Sequence, residues 1–386
     1  MDYSIKSNNR EYAVCTNCIM DTSDPIIKFD QNGLCNYCQN FYHNIEPNWL
    51  QNINNPKIIE NIISNIKKNK TKNSKYDCLI GISGGLDSSY VAHIAVKKFN
   101  LKPLLFHCDA GWNSDISTNN IEKIVSNLNC DLHTEVINWK HLKDLQRSFF
   151  YSQVPFVDQP VDLVLFSSLY NFAAKNNFKF IITGGNNSTE CVRECIDWTY
   201  FSTDTKHVKD IHKKFGKIDK LSLPMCDIFK YKFYYRFFKQ IKVIKLLDYL
   251  PFIKENAENT LNNSYGWKPY QMKHYESRFT KFYESFWTPK KHGYDKRRAY
   301  LSSLILTKQL KRDQALIRIS QNELTEEEMR QDFKYVAKKL DFTESEFLEI
   351  FNGKNKSFRD YKNRYNLIIF FAKIANLIGI EKRLFN

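Results

Sequence analysis

Residues 75–90 read KYDCLIGISGGLDSSY, and this stretch decides the fold. Residues 76–82 form a short apolar run with β-branched and aromatic members; Ser83-Gly84-Gly85 follows at once, and 88–99 then carries helical periodicity. The order is strand, glycine turn, helix. Two adjacent glycines at such a junction let successive backbone N–H groups converge into a concave nest, and the helix after them adds the positive end of its dipole. A phosphate chain fits there, with Ser83, Ser88 and Ser89 as further hydroxyl donors. Asp87 would repel that ligand unless Mg²⁺ stood between them, so the loop is expected to hold a metal–nucleotide complex. Neither a Walker A pattern nor GxGxxG can be read through it.

At 386 residues the chain is long enough for two or three domains, and 42% hydrophobic with 15% aromatic content describes a folded globular protein. A formal net charge of +15 favours polyanionic partners: nucleotides, nucleotide sugars, RNA or an anionic membrane surface. Residues 1–20 lack the apolar segment of a signal peptide. No run is long enough to span a bilayer; the nearest, 367–380, is broken by Lys373. A cytoplasmic location is expected, with reduced cysteines.

Of the ten cysteines, Cys15 and Cys18 form one CxxC pair and Cys35 and Cys38 another, sixteen residues apart. Four thiolates from two knuckles complete a tetrahedron with no open position, the pattern of a structural Zn²⁺ site; an iron–sulfur cluster is the alternative. Cys78, Cys108 and Cys130 fall at strand positions and read as core, and Cys191, Cys195 and Cys226 read as packing.

The chain then alternates. A helix over 56–68 and a polar linker near 70–75 precede the glycine loop; strands are expected at 103–109, 131–137 and 178–183, with helices at 114–129, 139–151 and 161–177. This calls for an α/β fold with a doubly wound parallel sheet that binds its ligand at the carboxyl ends of its strands. Three loops should meet there: 83–88, 109–114 and 184–190. In the second, Asp109 and Trp112 could contact a nucleoside, or the loop could be a helix start capped by Asn113 or Ser114. In the third, Gly184, Gly185, Asn186, Asn187, Glu190, Arg193 and Glu194 crowd a strand exit, as binding loops do. Residues 231–249 read as one basic, aromatic packing helix. Lys273, His274, Glu276 and Arg278 stand within six residues of each other, more ionisable chemistry than a surface helix needs. Residues 299–385 read as amphipathic helices, with Thr325 to Glu328 a capping box.

The string SGGLDSS resembles the SGGxDS loop of the PP-loop ATP pyrophosphatases, which cleave ATP to AMP and pyrophosphate while adenylating a carbonyl oxygen. Some of them carry Lys at x. Here it is Leu86, so a cation facing the phosphates must come from elsewhere. With CTNCIMDTSDP, GLCNYC, DAGWNS, TGGNNSTE, KHYESRF and GYDKRRAYLSSLI, the chain is similar over residues 12 to about 316 to the N-acetyl sugar amidotransferase family of lipopolysaccharide and flagellin-sugar pathways. The last 70 residues carry no readable motif. The resemblance implies conversion of an acetamido group, on a sugar or nucleotide sugar, to an acetamidino group. ATP, Mg²⁺ and ammonia would be co-reactants, with ammonia from a separate glutaminase. It implies Ser83, Gly84, Gly85, Ser88, Ser89, Gly184 and Arg193 at the nucleotide phosphates, Asp87 at Mg²⁺ and Asp109 at adenosine. Glu190 or His274 would take the ammonia proton, and Lys273, Glu276 and Arg278 would meet the substrate. The implied division is a four-cysteine zinc knuckle at 1–50, a helix and linker at 51–75, a PP-loop ATP-binding domain at 76–222 and a helical substrate or partner region at 223–386. The competing reading is a PP-loop tRNA-modifying enzyme of the thiolase or lysidine synthase type, which shares the loop and a basic surface. Against it, no RNA-binding motif is readable and no cysteine stands in a strand-end loop to carry sulfur, so nucleic acid is not the expected partner.

Overall fold

Five strands form on the apolar runs: β1 (Cys78–Gly81), β2 (Pro103–Asp109), β3 (Asp131–Val136), β4 (Phe180–Thr183) and β5 (Lys242–Lys245). In the computed structural model, which describes residues 11–70 and 74–377, they form one parallel sheet in the order β3-β2-β1-β4-β5. The linker expected near 70–75, residues 1–10 and the end of the run 367–380 lie partly or wholly outside the described residues. The central strands are mostly apolar because both faces are covered, with His107 and Asp109 near the carboxyl end of β2 as polar exceptions. Cys78 and Ile80 join Leu105, Ile121 and Phe180 in one core, while Leu79 joins Phe106, Tyr170 and Ile181 in another. The edge strands are more exposed and carry charge, with Asp131 and Glu135 on β3 and Lys242 and Lys245 on β5, which discourages pairing with another chain.

From β1 the chain steps outward to β2 and β3, then returns to the other side of β1 as β4. A crevice therefore opens between the carboxyl ends of β1 and β4, where parallel sheets bind ligands.

One expectation is corrected here. Residues 231–249 are not a single helix: a helix over Lys230–Phe238 ends at Gln240, whose φ is +57°, and β5 and a turn over Leu246–Tyr249 come next. The β-branched pair Val243 and Ile244 pairs with Ile181 and Ile182 of β4, and that pairing outweighs the helical pattern of the aromatic run before it. The sheet thus continues past residue 222.

The remaining chain is helical: Arg278–Phe282 running into Tyr283–His292, then Arg297–Leu306, Arg312–Ser320, Glu326–Lys339, Glu344–Asn352 and Tyr365–Leu377. Thr325 and Glu328 form the expected reciprocal cap. Phe279, Phe282, Trp287 and Phe347 build an aromatic core with Phe150 and Trp112, joining these helices to the sheet domain. Trp112 is 2% exposed and its indole N–H donates to Gln146 at 3.0 Å, so it is a core residue and not a nucleoside contact. Among the described residues, no helix is long and apolar enough to cross a membrane.

Candidate functional site

The glycine loop is fixed from below. Gly84 has φ +80°, and a Cβ there would come within 2.5 Å of the Ser117 carbonyl oxygen, so no other residue fits. Its carbonyl receives the Trp267 indole N–H at 3.0 Å, the Tyr270 hydroxyl at 3.1 Å and the Asn120 amide at 3.3 Å. The Ser83 N–H donates to the Ser88 hydroxyl at 3.2 Å, closing the loop. The helix that starts at Leu86 has no side-chain cap, which leaves its first N–H groups for an anion. Gly184, leaving β4, packs on the start of this helix so closely that a Cβ would stand 2.6 Å from the Asp87 carbonyl carbon.

The cation that Leu86 does not supply arrives from residue 273. Lys273 sits between Asp87 (3.0 Å) and Glu190 (2.8 Å) and donates to the Thr189 hydroxyl at 3.0 Å. Burial works against its charge, but the two carboxylates outweigh that and raise its pKa. Glu190 responds in kind: burial would raise it, yet Lys273 holds it down at about 2. Lys273 belongs to an irregular segment that runs beside the 112–114 loop, tied by Ser114 N–H to the Glu276 carbonyl and Arg278 N–H to the Trp112 carbonyl, both 2.9 Å. That tie lays Glu276 over Gly85 and lets its carboxylate accept from the Ser83 hydroxyl at 3.1 Å.

These groups line a cavity of about 220 Å³, with Lys254, Trp267, Tyr270 and Tyr300 completing its wall. His274, in the left-handed region at φ +68°, stands where it meets two further cavities of about 340 and 580 Å³. Between these two lies a charged cluster that the sequence reading missed. Lys296 pairs with Glu194 (3.2 Å) and Glu284 (3.1 Å), and Asp158 and Asp162 line the largest cavity. Burial pushes both aspartates up, Asp158 to about 8 and Asp162 to about 6; the Asp162 charge raises Asp158 further, and the Lys296 ammonium opposes the rise in both. The available signal was a pair of acids four residues apart opening an apolar helix, DQPVDLVLF.

Of the residues singled out from sequence, Ser83, Gly85, Asp87, Ser88, Gly184, Glu190, Lys273, His274 and Glu276 line the first cavity, and Arg193 lines the second. Gly84, Ser89, Asp109 and Arg278 line neither cavity, Gly84 being held from below through its carbonyl. Ser89 is fully buried beneath the loop. Asp109 holds its own turn, accepting from Gly111 N–H at 2.7 Å and the Asn113 amide at 3.2 Å, and Ser114 caps the next helix, so this loop is the helix start and not an adenosine contact. Arg278, 43% exposed, stacks on Tyr335 and pairs with Asp332.

Cys15, Cys18, Cys35 and Cys38 converge as a separate, buried group that could hold a metal ion. Their sulfurs stand 3.6 to 3.8 Å apart along three edges. A single tetrahedral ion with metal–sulfur bonds near 2.3 Å needs edges of about 3.8 Å. The group packs with Cys191, Cys195, Trp198 and Leu306, directly behind the Glu190 loop.

A family profile described as NAD synthase matches residues 58–217, and one described as LPS biosynthesis protein WbpG-like, C-terminal domain, matches residues 276–375. The first contains the glycine loop of a PP-loop fold; the second begins at Glu276 and takes in the helices for which no motif was readable. No curated protein sequence matches the chain. Among solved structures, the U34-tRNA thiolase NcsA from Methanococcus maripaludis with its 4Fe-4S cluster is similar at 13% identity, covering 66% of this chain and 80% of that one, with TM-score 0.31. The NH3-dependent NAD synthetase from Campylobacter jejuni is similar at 15% identity, 70% and 98% coverage and TM-score 0.30. The NMN synthetase from Francisella tularensis is similar at 17% identity, 57% and 99% coverage and TM-score 0.28.

Proposed function

Because the two matched regions together support an N-acetyl sugar amidotransferase-like family, we propose that this chain adenylates the acetamido oxygen of an N-acetyl sugar and replaces it with ammonia. The products are an acetamidino sugar, AMP and pyrophosphate. The observation that carries the reading is the junction at His274, where the phosphate-loop cavity meets two further cavities walled partly by the WbpG-like region.

An acetamide carbon is a poor electrophile and its oxygen a poor leaving group at neutral pH; adenylation answers both. The amide oxygen attacks the α-phosphorus, and pyrophosphate departs into the nest formed by Ser83, Gly85, Ser88 and the first N–H groups of the helix at Leu86. Lys273 faces the same space as a permanent positive charge. Asp87 and Glu190, two carboxylates converging on one cation, are a donor set that Mg²⁺ takes, and it would neutralise the triphosphate there. Ammonia then attacks the O-adenylyl imidate carbon and AMP leaves. The chain's own contribution is positioning and charge stabilisation.

The four cysteines fit a structural Zn²⁺, since their spacing suits one ion and leaves no room for the irons and sulfides of a cluster. Its work is to hold the knuckle against the Glu190 loop. We place the enzyme in the cytoplasm, in surface-polysaccharide or flagellin-sugar synthesis, drawing ammonia from a separate glutaminase. The decisive assay supplies ATP, Mg²⁺, ammonium and a panel of acetamido and nucleotide sugars, and reads AMP, pyrophosphate and the mass change for oxygen replaced by NH. AMP release that depends on tRNA and on no sugar would transfer the chain to the tRNA-modifying class.

A further inference from the structure

The largest cavity at the site, about 580 Å³, runs from Ser83 and Ser88 of the phosphate loop to Asp158 and Asp162 on the opposite wall. Asp158 is only 4% exposed; its Oδ2 accepts from the Thr280 hydroxyl at 2.9 Å, and its Oδ1 has no partner at all. Asp162, one helical turn on, is exposed although it lies deep in the molecule, because its open side is the cavity. The charged groups around Asp162 are Lys296, His274, Glu284 and Glu194, and Lys296 is already shared by the two glutamates. Four carboxyl groups therefore meet one committed ammonium and one imidazole.

The surplus is negative, so the ligand it suits carries positive charge. A divalent metal is a poorer candidate here than at Asp87 and Glu190, because Asp158 Oδ2 is already held by the Thr280 hydroxyl and Glu194 and Glu284 are already held by Lys296. What fits is a small monovalent cation able to donate several hydrogen bonds. Part of the remaining wall is apolar, with Phe106, Phe166 and Leu169, where a neutral product of that cation could move without the cost an ion would meet.

We propose that this cavity is the ammonium pocket of the enzyme, with Asp158 and Asp162 binding NH₄⁺ and the Asp162 carboxylate taking its proton. The transfer chemistry rests on the amidination reading. NH₄⁺ and the Asp162 carboxylate become NH₃ and the Asp162 carboxylic acid. The ammonia lone pair forms a C–N bond with the imidate carbon while the C–O bond to AMP breaks, its electron pair leaving on AMP. The imidate reaches this step neutral, its amide N–H proton having left with pyrophosphate, so two of the ammonia protons stay on the new nitrogen and the third ends on the sugar nitrogen, giving an amidinium. The two aspartates titrate as a pair near neutrality, Asp158 above Asp162, so one of them keeps a proton while the other can accept one.

Thallium(I) is a heavy mimic of ammonium in size and charge. Crystals of the full chain soaked in a thallium(I) salt are expected to show an anomalous peak beside the Asp162 carboxylate, displaced by added ammonium and missing in Asp162→Asn. In solution, Asp162→Asn should raise the KM for ammonium about ten- to a hundredfold, the loss of one charge-assisted hydrogen bond, and leave the KM for ATP unchanged. Asp162→Glu should recover part of that loss. Wild-type crystals without thallium in the cavity, or an unaltered ammonium KM in Asp162→Asn, would overturn the proposal. If thallium binds as described but no acetamido sugar supports ammonium-dependent AMP release, the cation pocket stands and the amidination reading fails.

Discussion

Taking away the Lys273 ammonium would leave Asp87 and Glu190 side by side with no cation between them. Lys273→Met is expected to lower stability by about 1–3 kcal/mol, less than for a fully buried pair because Glu190 is 37% exposed, and to stop pyrophosphate release; urea unfolding and a pyrophosphate assay check the two parts. The sign of the pH dependence comes from Glu190. Its folded pKa of about 2 lies below the ordinary 4.5, so its contribution is complete above pH 4.5 and lost as pH falls towards 2. Melting temperatures should drop across that window in the wild type, and the drop should be shallower in Lys273→Met. Asp87→Asn removes the proposed Mg²⁺ ligand while Lys273 keeps Glu190 and Thr189, so pyrophosphate release should fall by orders of magnitude with a smaller drop in melting temperature than Lys273→Met gives; release near the wild-type rate would disprove the loop assignment. The sequence showed Asp87 plainly because SGGLDSS is a local pattern. It could not show that Lys273 reaches back to it, since that contact depends on how the 112–114 loop aligns the segment before Ser277. Asp109, Arg278 and Ser89 lie off the loop cavity for the same reason in reverse: residue type and position near a loop do not say which way a side chain is drawn.

The helix Arg297–Leu306 links the knuckle to the reaction loop. On one side Ser302 accepts from Ile19 N–H at 3.2 Å, and Arg298 donates to the Ile19 carbonyl at 2.7 Å and pairs with Asp21 at 2.9 Å. On the other, Ser303 accepts from Val192 N–H at 3.0 Å and Thr307 donates to the Ser188 carbonyl at 2.8 Å. Arg312, opening the next helix, donates to the carbonyls of Cys18 and Cys15 at 3.0 and 2.8 Å. We expect one zinc per chain by elemental analysis. Stripping it with a chelator should lower the melting temperature and weaken ATP binding together, because Tyr300 on this helix lines the loop cavity. Iron with visible absorbance would refute the zinc assignment. Arg312→Ala removes two hydrogen bonds to a charged donor, about 1.5–3 kcal/mol each, and should speed zinc release to a colorimetric chelator. At this scale the sequence was legible wherever an element announces itself by its own period, as in 56–68, 103–109 and the Thr325 cap. β5 was missed because its four residues come after an aromatic run with helical spacing, and only pairing with β4 gives them strand form.

Across the whole chain, the cysteines bear on the proposal that ammonia comes from a separate glutaminase. Hydrolysing glutamine needs an activated thiolate, yet burial pushes the thiols of Cys191 and Cys108 up to about 12 and Cys226 to about 11, and raises Cys78, Cys130 and Cys195 as well. Free ammonium should therefore support the reaction with the isolated chain, and glutamine only after a glutaminase is added; mass analysis of parallel reactions decides, and activity with glutamine alone would remove the partner. The bonds from Arg298 and Arg312 to the knuckle have a further consequence, for the order in which the chain matures. Cys15 and Cys38 are 23 positions apart, so the knuckle can close on its metal while most of the sheet is still unsynthesised. The residues that seat it are 279 to 297 positions downstream. A ribosome must deliver the chain through Arg312 before the knuckle can dock, so the knuckle closes first and waits for its cradle, and refolding from denaturant should show a fast phase for knuckle closure and a slow one for its seating.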